Sequence, residues 1–175
     1  MVMLQLSNFL YNRPVMSLRT GGQVATAIAP VLNPKSLKVE GFYCEDSANH
    51  KQLLVLLSQD IREVSHRGFI IDDYDVLAEP EDLVRLQEVL ELGFELLKKP
   101  VETVSKQKVG RVNDYATEIS TMYVQKLYVS QPLWKSFTGG SLSVDRTQIV
   151  EVTTKRIIIN ELLQPTPTPA AAVAA

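Results

Sequence analysis

Short apolar runs alternate with turn residues over most of the chain. Between residues 8 and 73 the runs are VATAIAPVL, LKVEGFYC, QLLVLLS, DIREVS and GFIID, and over residues 100–161 they are KVGRVND, MYVQKLYVS, SLSVD, QIVEVT and RIIIN. Short runs rich in Val, Ile, Phe and Tyr are typical of β-strands. Pairs such as Gly21-Gly22 and Asn33-Pro34 mark turns between them. The pattern therefore predicts a mainly β protein of small-barrel or sandwich type.

Residues 79–99 interrupt this pattern. The segment EPEDLVRLQEVLELGFELLKK has leucines at helical spacing, acidic residues at its start and two lysines at its end. Pro80 suits the first turn of a helix, and Pro100 stops one. We therefore expect a linker helix over residues 79–99. Its wide apolar arc predicts packing against more than one neighbour.

The end of the chain is biased in composition. Residues 164–175 read QPTPTPAAAVAA. Alternating Pro and Thr favour an extended, unpaired backbone, and the alanines offer too little bulk for a core. The segment predicts a disordered tail or linker, with a short helix against a partner as the alternative.

The two strand-rich regions match each other in order along the chain. The offset between matched positions drifts between 85 and 88 residues, as small insertions at turns would cause. The matched positions are Pro14-Val15 with Pro100-Val101, Val24-Ala25 with Val109-Gly110, Ala27 with Val112, Val39 with Val124, Tyr43 with Tyr128, Ile61 with Ile149, Glu63 with Glu151, Val64 with Val152 and Ile70 with Ile158. The match predicts two copies of one unit, residues 8–73 and residues 100–161, joined by the helix.

Each unit resembles the PRC-barrel domain, a small β-barrel found in the photosynthetic reaction-centre H subunit and at the C-terminal end of the ribosome maturation factor RimM. The resemblance rests on a basic residue followed by Pro-Val, on a small residue between apolar ones (Ala25 or Gly110), and on the Ile-x-x-Val endings of SQDIREV and DRTQIVEV. It implies two PRC-barrel-like β-barrels in tandem that bind other macromolecules without a shared catalytic site. RimM has a different domain before its barrel, so its ribosomal role does not carry over.

Charge and composition narrow the class of protein. The chain has 18 basic and 20 acidic residues and a formal charge of −2, which makes nucleic acid an unfavoured partner. No run approaches the roughly 18 apolar residues of a transmembrane helix. A secretory signal requires a basic residue near its start, and no basic residue precedes Arg13. The single cysteine, Cys44, cannot form an internal disulfide. These features predict a cytoplasmic protein without a transmembrane segment.

The side chains that carry chemistry form no recognisable motif. His50 and His66 lie in predicted turns, and with Cys44 they provide too few ligands for zinc. The acidic run DDYDVLAEPED, residues 72–82, lacks the spacing of a calcium loop, so we favour solvated charge over a cation site there. We therefore expect no catalytic residue, no cofactor and no bound metal.

One loop distinguishes the two units. The stretch QPLWKSFTGG over residues 131–140 contains the only tryptophan, where the first unit has the polar EDSANHKQ. Aromatic residues are frequent anchors at interfaces. Leu133, Trp134 and Phe137 are therefore candidate interface residues. The alternative is that Trp134 covers an open barrel end or packs on the linker helix.

These observations favour a non-enzymatic adaptor or assembly protein that acts through protein–protein contacts, including contacts with a second copy of itself. The alternative, by analogy to RimM, is an RNA- or ribosome-associated maturation factor. A small enzyme or ligand-binding barrel is the third and weakest class, because no cluster of catalytic residue types is recognisable.

Overall fold

The computed structural model describes residues 2–132 and 140–162, and these residues form mainly β-strands. A first strand, β1 (Leu4–Leu6), precedes two strand-rich halves. The first half contains β2 (Arg13–Ser17), β3 (Gln23–Asn33), β4 (Lys38–Asp46), β5 (Leu53–Leu57), β6 (Glu63–Ser65) and β7 (Gly68–Ile71). The second half contains β8 (Pro100–Thr103), β9 (Lys108–Glu118), β10 (Tyr123–Ser130), β11 (Ser141–Asp145), β12 (Ile149–Val152) and β13 (Ile157–Ile159). The predicted mainly β class is confirmed, and every run assigned to a strand contains one.

The strands join into one open mixed sheet. Its order is β12-β13-β8-β9-β10-β4-β3-β2-β7-β6, with β1 paired to β9, β11 to β10 and β5 to β4. The β2–β7 and β8–β13 pairs are parallel, and the other strand pairs are antiparallel. No pairing among the described strands closes β5 onto β6 or β11 onto β12. The two closed barrels predicted from the sequence are therefore not seen in these pairings.

Strand pairings follow the same order in both halves, β6-β7-β2-β3-β4-β5 in the first and β12-β13-β8-β9-β10-β11 in the second. The registers also agree. Adding 85 to the residue numbers of seven of the eight β3–β4 pairs gives the seven β9–β10 pairs, and both register irregularities recur at the matching places. The eighth pair, Ala25 opposite Asp46, has no β9–β10 counterpart. Examples are Lys38 opposite Asn33 and Tyr123 opposite Glu118, and Cys44 opposite Ala27 and Val129 opposite Val112.

The two halves meet at their central hairpin turns. The N–H of Val39 donates to the carbonyl of Met122 at 2.8 Å, and the N–H of Val124 donates to the carbonyl of Leu37 at 2.9 Å. The strand β1 also reaches across, because it precedes the first half in sequence but pairs with β9 of the second. The halves are thus tied by backbone hydrogen bonds at two places.

Arg146 reinforces this junction from one side. Its Nη2 donates to the carbonyl of Ser36 at 2.6 Å, and its Nη1 donates to the carbonyl of Val124 at 3.2 Å. The guanidinium carbon lies 4.7 Å from the centre of the Tyr123 ring, in a cation–π contact. One side chain therefore bonds to both halves.

A single apolar core runs through both halves. Val15, Phe42 and Phe69 of the first half and Leu127 and Ile157 of the second belong to the same cluster and are fully buried. The Phe42 and Phe69 rings lie 4.5 Å apart, centre to centre, at 45°. Burial of this continuous surface, rather than local hydrogen bonding, is the main force that holds the sheet in its shape.

The predicted helix over residues 79–99 is wrong in extent. Only α1 (Gln87–Leu92) is α-helical, and two separate 3₁₀ turns precede it, Pro80–Asp82 and Val84–Leu86. Leu83, between these turns, has φ −88° and ψ 63°, which lies outside the helical region. This residue interrupts the chain of helical hydrogen bonds that the leucine spacing predicts.

The helix ends at Gly93, whose left-handed φ of 51° is typical of a glycine cap. Beyond it Phe94 and Leu96 turn into the core, with 8% and 2% of their surface exposed. The carbonyl of Lys99 then accepts a hydrogen bond from the N–H of Val112 at 2.9 Å. Phe94 and Leu96 are thus buried by the irregular chain that follows α1, whereas no residue of α1 itself is buried.

Candidate functional site

The interface residues named from the sequence, Leu133, Trp134 and Phe137, lie outside the described residues, as does the tail over 164–175. The structure does place both ends of the 133–139 stretch. β10 ends at Ser130, and β11 begins at Ser141 as its antiparallel partner. The stretch therefore leaves from the end of a central strand of the second half.

A groove lies at this same end of the sheet, with a volume of about 470 Å³. It crosses three neighbouring strands, β8, β9 and β10. Its lining residues are Pro100, Val101, Glu102, Lys108, Gly110, Arg111, Ser130, Gln131 and Pro132. We call it the β8–β10 groove.

Gly110 forms the floor of the β8–β10 groove. A Cβ atom at this position would lie 2.0 Å from the carbonyl oxygen of Ser130, closer than any side chain tolerates. Only glycine lets the backbones of β9 and β10 approach this closely. The glycine at a position where the first half has Ala25 is therefore explained by a close backbone contact that the sequence alone does not reveal.

The charged side chains around the groove are not equivalent. Glu102 pairs with Arg156, whose Nε lies 3.1 Å from the Glu102 Oε1, and only 18% of the Glu102 side chain is exposed. Arg111 donates from Nη1 to the carbonyl of Lys98 at 3.0 Å, which uses one of its five N–H donors. Lys108 is exposed at the start of β9. Among the described lining residues, Glu102 is the one acidic side chain, and its basic partner Arg156 lies outside the lining.

The first half is closed at the matching place. Asp46, which aligns with Gln131 under the offset of 85, is 3% exposed. Its Oδ1 accepts hydrogen bonds from the N–H groups of Ala48 at 2.6 Å and Asn49 at 3.0 Å, and its Oδ2 accepts the hydroxyl of Tyr74. The Tyr74 hydroxyl lowers the pKa of Asp46, and in turn Asp46 raises the pKa of Tyr74. The Asp46 carboxylate thus holds the end of β4 through three hydrogen bonds.

The remaining titratable candidates, Cys44, His50 and His66, differ in their surroundings. Cys44 is fully buried, and burial raises its pKa to about 12, so its sulfur is a neutral thiol at physiological pH. His50 Nδ1 lies 2.6 Å from Glu45 Oε1 on an exposed loop. His66 is exposed in the turn before β7. Among the described residues, neither histidine forms a hydrogen bond with Cys44, and the three side chains do not form a metal-binding group.

Two carboxylates of the acidic run over residues 72–82, Asp72 and Asp73, pair with arginines. Arg62 Nε lies 2.6 Å from Asp72 Oδ1, and Arg19 Nη1 lies 2.6 Å from Asp73 Oδ2. The hydrogen bond from Arg19 lowers the pKa of Asp73. Among residues 2–132 and 140–162, no group of three or more His, Cys, Asp or Glu side chains is placed to hold a metal ion.

Comparisons with known proteins do not assign the chain to a family. No model of a protein family matches the chain, and no curated protein matches it either. Within the part of the chain that the structure describes, no helix is long and apolar enough to cross a membrane.

Proposed function

We propose that this chain consists of two PRC-barrel-like units in tandem and acts in the cytoplasm as a non-enzymatic adaptor or assembly protein. The matching registers of β3–β4 and β9–β10 support the tandem organisation. So do the parallel closing pairs, in which Val15 lies opposite Phe69 and Val101 lies opposite Ile157. Two copies of one fold in a single chain offer two surfaces of similar shape, which suits a protein that holds partners together.

The observation that carries the function is the difference between the halves at one place. The end of β4 is closed by Asp46 and Tyr74, whereas the matching end of β10 opens into the β8–β10 groove. The apolar and aromatic stretch over residues 133–139 leaves from this same end. A concave surface beside a potential aromatic anchor is the arrangement that protein interfaces favour. We therefore assign partner binding to the second half.

An RNA- or ribosome-associated role is the second candidate. Residues 98–111 contain five basic residues and one acidic residue, which favours a local contact with phosphate. The basic residues are Lys98, Lys99, Lys106, Lys108 and Arg111. The overall charge of −2 makes this the weaker of the two candidates.

Affinity capture of the full chain from its native host, after nuclease digestion and with identification by mass spectrometry, tests the proposal. We expect specific protein partners that survive the nuclease and that are depleted when Trp134→Ala and Phe137→Ala are combined. A matched control combines Leu18→Ala and Val84→Ala, which remove exposed apolar side chains elsewhere. Capture that disappears on nuclease treatment would instead support the RNA-associated candidate. A loss common to both double variants would contradict the proposed binding surface.

A further inference from the structure

We propose that a cavity at the contact between the two halves binds a small organic cation, a methylated ammonium group; this site goes beyond the adaptor function and does not depend on it. The cavity has a volume of about 260 Å³ and lies where β3, β4 and β9 meet the chain around α1. This volume is below the roughly 300–1,000 Å³ of sites for drug-sized ligands, so the cavity suits a smaller ligand. Its walls include Tyr11, Tyr43 and Tyr115, and we call it the tyrosine cavity.

The tyrosine cavity arises where the two halves differ in structure. In the second half, β1 pairs with residues 116–118 of β9. The offset of 86 that relates β2 to β8 places the counterpart of β1 at residues 90–92, which belong to α1. The matching residues 31–33 of β3 pair with β4 alone among the described strands, because the β2–β3 pairing ends at Ala27. Since a helix cannot pair with a strand edge, a space remains between β3 and α1.

The three tyrosines of the cavity supply aromatic surface that suits a cation. Tyr115 is 1% exposed, and Tyr11 and Tyr43 are half-buried. No basic side chain of the described residues forms a cation–π contact with these three rings. Phe94 also lines the cavity, but Lys99 already lies over its ring, with Nζ 5.1 Å from the ring centre. Because a cation is attracted to the face of an aromatic ring, the tyrosines provide the site and Phe94 completes the wall.

The charge of the lining favours a ligand with one positive charge. Glu95 is the only charged residue among those that line the cavity. It is exposed, and its carboxylate has no ion pair or hydrogen bond in the described part of the chain. Burial raises the pKa of Tyr43, and burial together with the neighbouring Tyr11 raises the pKa of Tyr115, so both phenols are neutral at physiological pH. One unpaired carboxylate beside neutral aromatic rings attracts a cation.

The hydrogen-bonding groups of the walls distinguish a methylated ammonium from a primary one. A primary ammonium has three N–H donors and needs an acceptor for each when it leaves water. The Tyr43 hydroxyl already donates to the carbonyl of Leu90 at 3.4 Å, and the lining residues of β3 and α1 are aliphatic. A methylated ammonium has fewer N–H groups or none, so it enters such a site at a lower desolvation cost.

A titration of the full chain with choline, followed by heteronuclear NMR, tests the proposal. The reporter is the amide resonance of Gly93, which lines the cavity. The matched control ligand is the neutral analogue of choline in which a tert-butyl group replaces the trimethylammonium group, so that the shape is kept and the charge is lost. We expect choline to shift the Gly93 resonance and to bind at least about tenfold more tightly than the analogue.

Methylated ammonium groups occur both in free small molecules and in trimethylated lysine side chains of proteins. A peptide of about ten residues with one trimethyllysine, compared with the same peptide carrying unmodified lysine, distinguishes these sources. Peptide binding that requires the methyl groups identifies a modified protein as the ligand. Binding of choline without the peptide identifies a free small molecule. Both results support the cation site.

Two pairs of variants locate the site. Tyr43→Leu should weaken choline binding at least about threefold, whereas Tyr128→Leu, at the matching position of the second half and outside the lining, should change it less than about 1.5-fold. Glu95→Gln should also weaken it at least about threefold, and Glu91→Gln, on α1 but outside the lining, less than about 1.5-fold. Because Glu95 and Glu91 are both exposed, this second pair leaves the fold intact.

Equal affinities for choline and its neutral analogue would overturn the proposal, because recognition would then not depend on charge. A Gly93 resonance that stays in place at the highest choline concentration would also overturn it, as would equal effects of Glu95→Gln and Glu91→Gln. None of these results changes which protein partners affinity capture recovers, so the cation site and the adaptor function fail independently.

Discussion

Leu37 and Met122 hold the same left-handed backbone conformation, with φ angles of 54° and 60°, and each accepts a hydrogen bond from the other half of the protein. The donors are Val124 for the carbonyl of Leu37 and Val39 for the carbonyl of Met122. Because each pair maps onto the other under the offset of 85, the contact is reciprocal, as in a two-fold symmetric dimer. The two hydrogen bonds at the junction are therefore related by the same offset as the registers of β3–β4 and β9–β10.

Positive φ angles recur at matched positions elsewhere. Lys106 has φ 66° in the turn after β8, where the first half has Gly21 with φ 69°. This conformation costs free energy at a lysine, because its Cβ atom contacts the backbone, whereas glycine has no Cβ atom. The first half thus shows which residue the turn prefers.

We predict that Lys106→Gly raises the free energy of unfolding by about 0.5–1 kcal/mol, because the relief of strain outweighs the entropy of the added glycine. Thermal and urea unfolding measure the change. Lys51→Gly, at an exposed position without positive φ, is the control and should be neutral or destabilising. Equal effects of the two changes would refute the strain argument.

Removal of the Arg146 side chain should loosen the junction between the halves. Arg146→Met loses the hydrogen bonds to the carbonyls of Ser36 and Val124 and the contact with the Tyr123 ring. We expect the free energy of unfolding to fall by about 1–3 kcal/mol. Arg67→Met removes an exposed arginine in a turn and should cost less than about 0.5 kcal/mol. A neutral Arg146→Met would show that backbone pairing alone holds the junction.

Phe94→Ala tests whether the chain turns at Gly93 and buries the segment after α1. Phe94 is 8% exposed and packs in the core, so its truncation should lower the free energy of unfolding by about 3 kcal/mol or more. Leu92→Ala, two residues earlier, removes a side chain that is 42% exposed and should cost less than about 1 kcal/mol. A reversed order of the two costs would be inconsistent with the turn at Gly93.

The hydrogen bond from the Tyr74 hydroxyl to Asp46 predicts that the free energy of unfolding depends on pH in the acidic range. A carboxyl whose pKa is lower in the folded state stabilises the fold above its ordinary pKa, and this contribution is lost as the pH falls through the folded-state pKa. Tyr74→Phe removes the main cause of the lowered pKa. Its free energy of unfolding should therefore fall less steeply than that of wild type between about pH 5 and about pH 2.

Urea unfolding at several pH values measures this difference. Tyr128→Phe is the matched control, because no hydrogen bond of its hydroxyl is seen in the described part of the chain, and its pH dependence should equal that of wild type. Parallel pH profiles for wild type and Tyr74→Phe would mean that Tyr74 does not stabilise the Asp46 carboxylate.

Local sequence pattern was sufficient to locate the strands and to align the two strand-rich regions in order. Strand pattern depends on neighbouring residues, since side chains alternate between two faces and Gly, Pro and Asn mark the turns. The runs that contain β3, β4, β9 and β10 could therefore be identified one at a time, and the matched Pro-Val, Tyr and Glu positions aligned them in order. The mainly β class followed from the same local information.

Only the tertiary structure determined the conformation of residues 79–99 and the position of the β8–β10 groove. Leucine spacing favours a long helix, but burial of Phe94 and Leu96 in the common core requires a turn at Gly93. Pairing of β1 with β9 joins segments more than 100 residues apart, and no local pattern encodes it. The β8–β10 groove likewise depends on β8, β9 and β10 being neighbours in the sheet, because residues of all three strands line it. Such contacts depend on which strands become neighbours when the whole chain buries its apolar surface, so they are properties of the fold and not of any one segment.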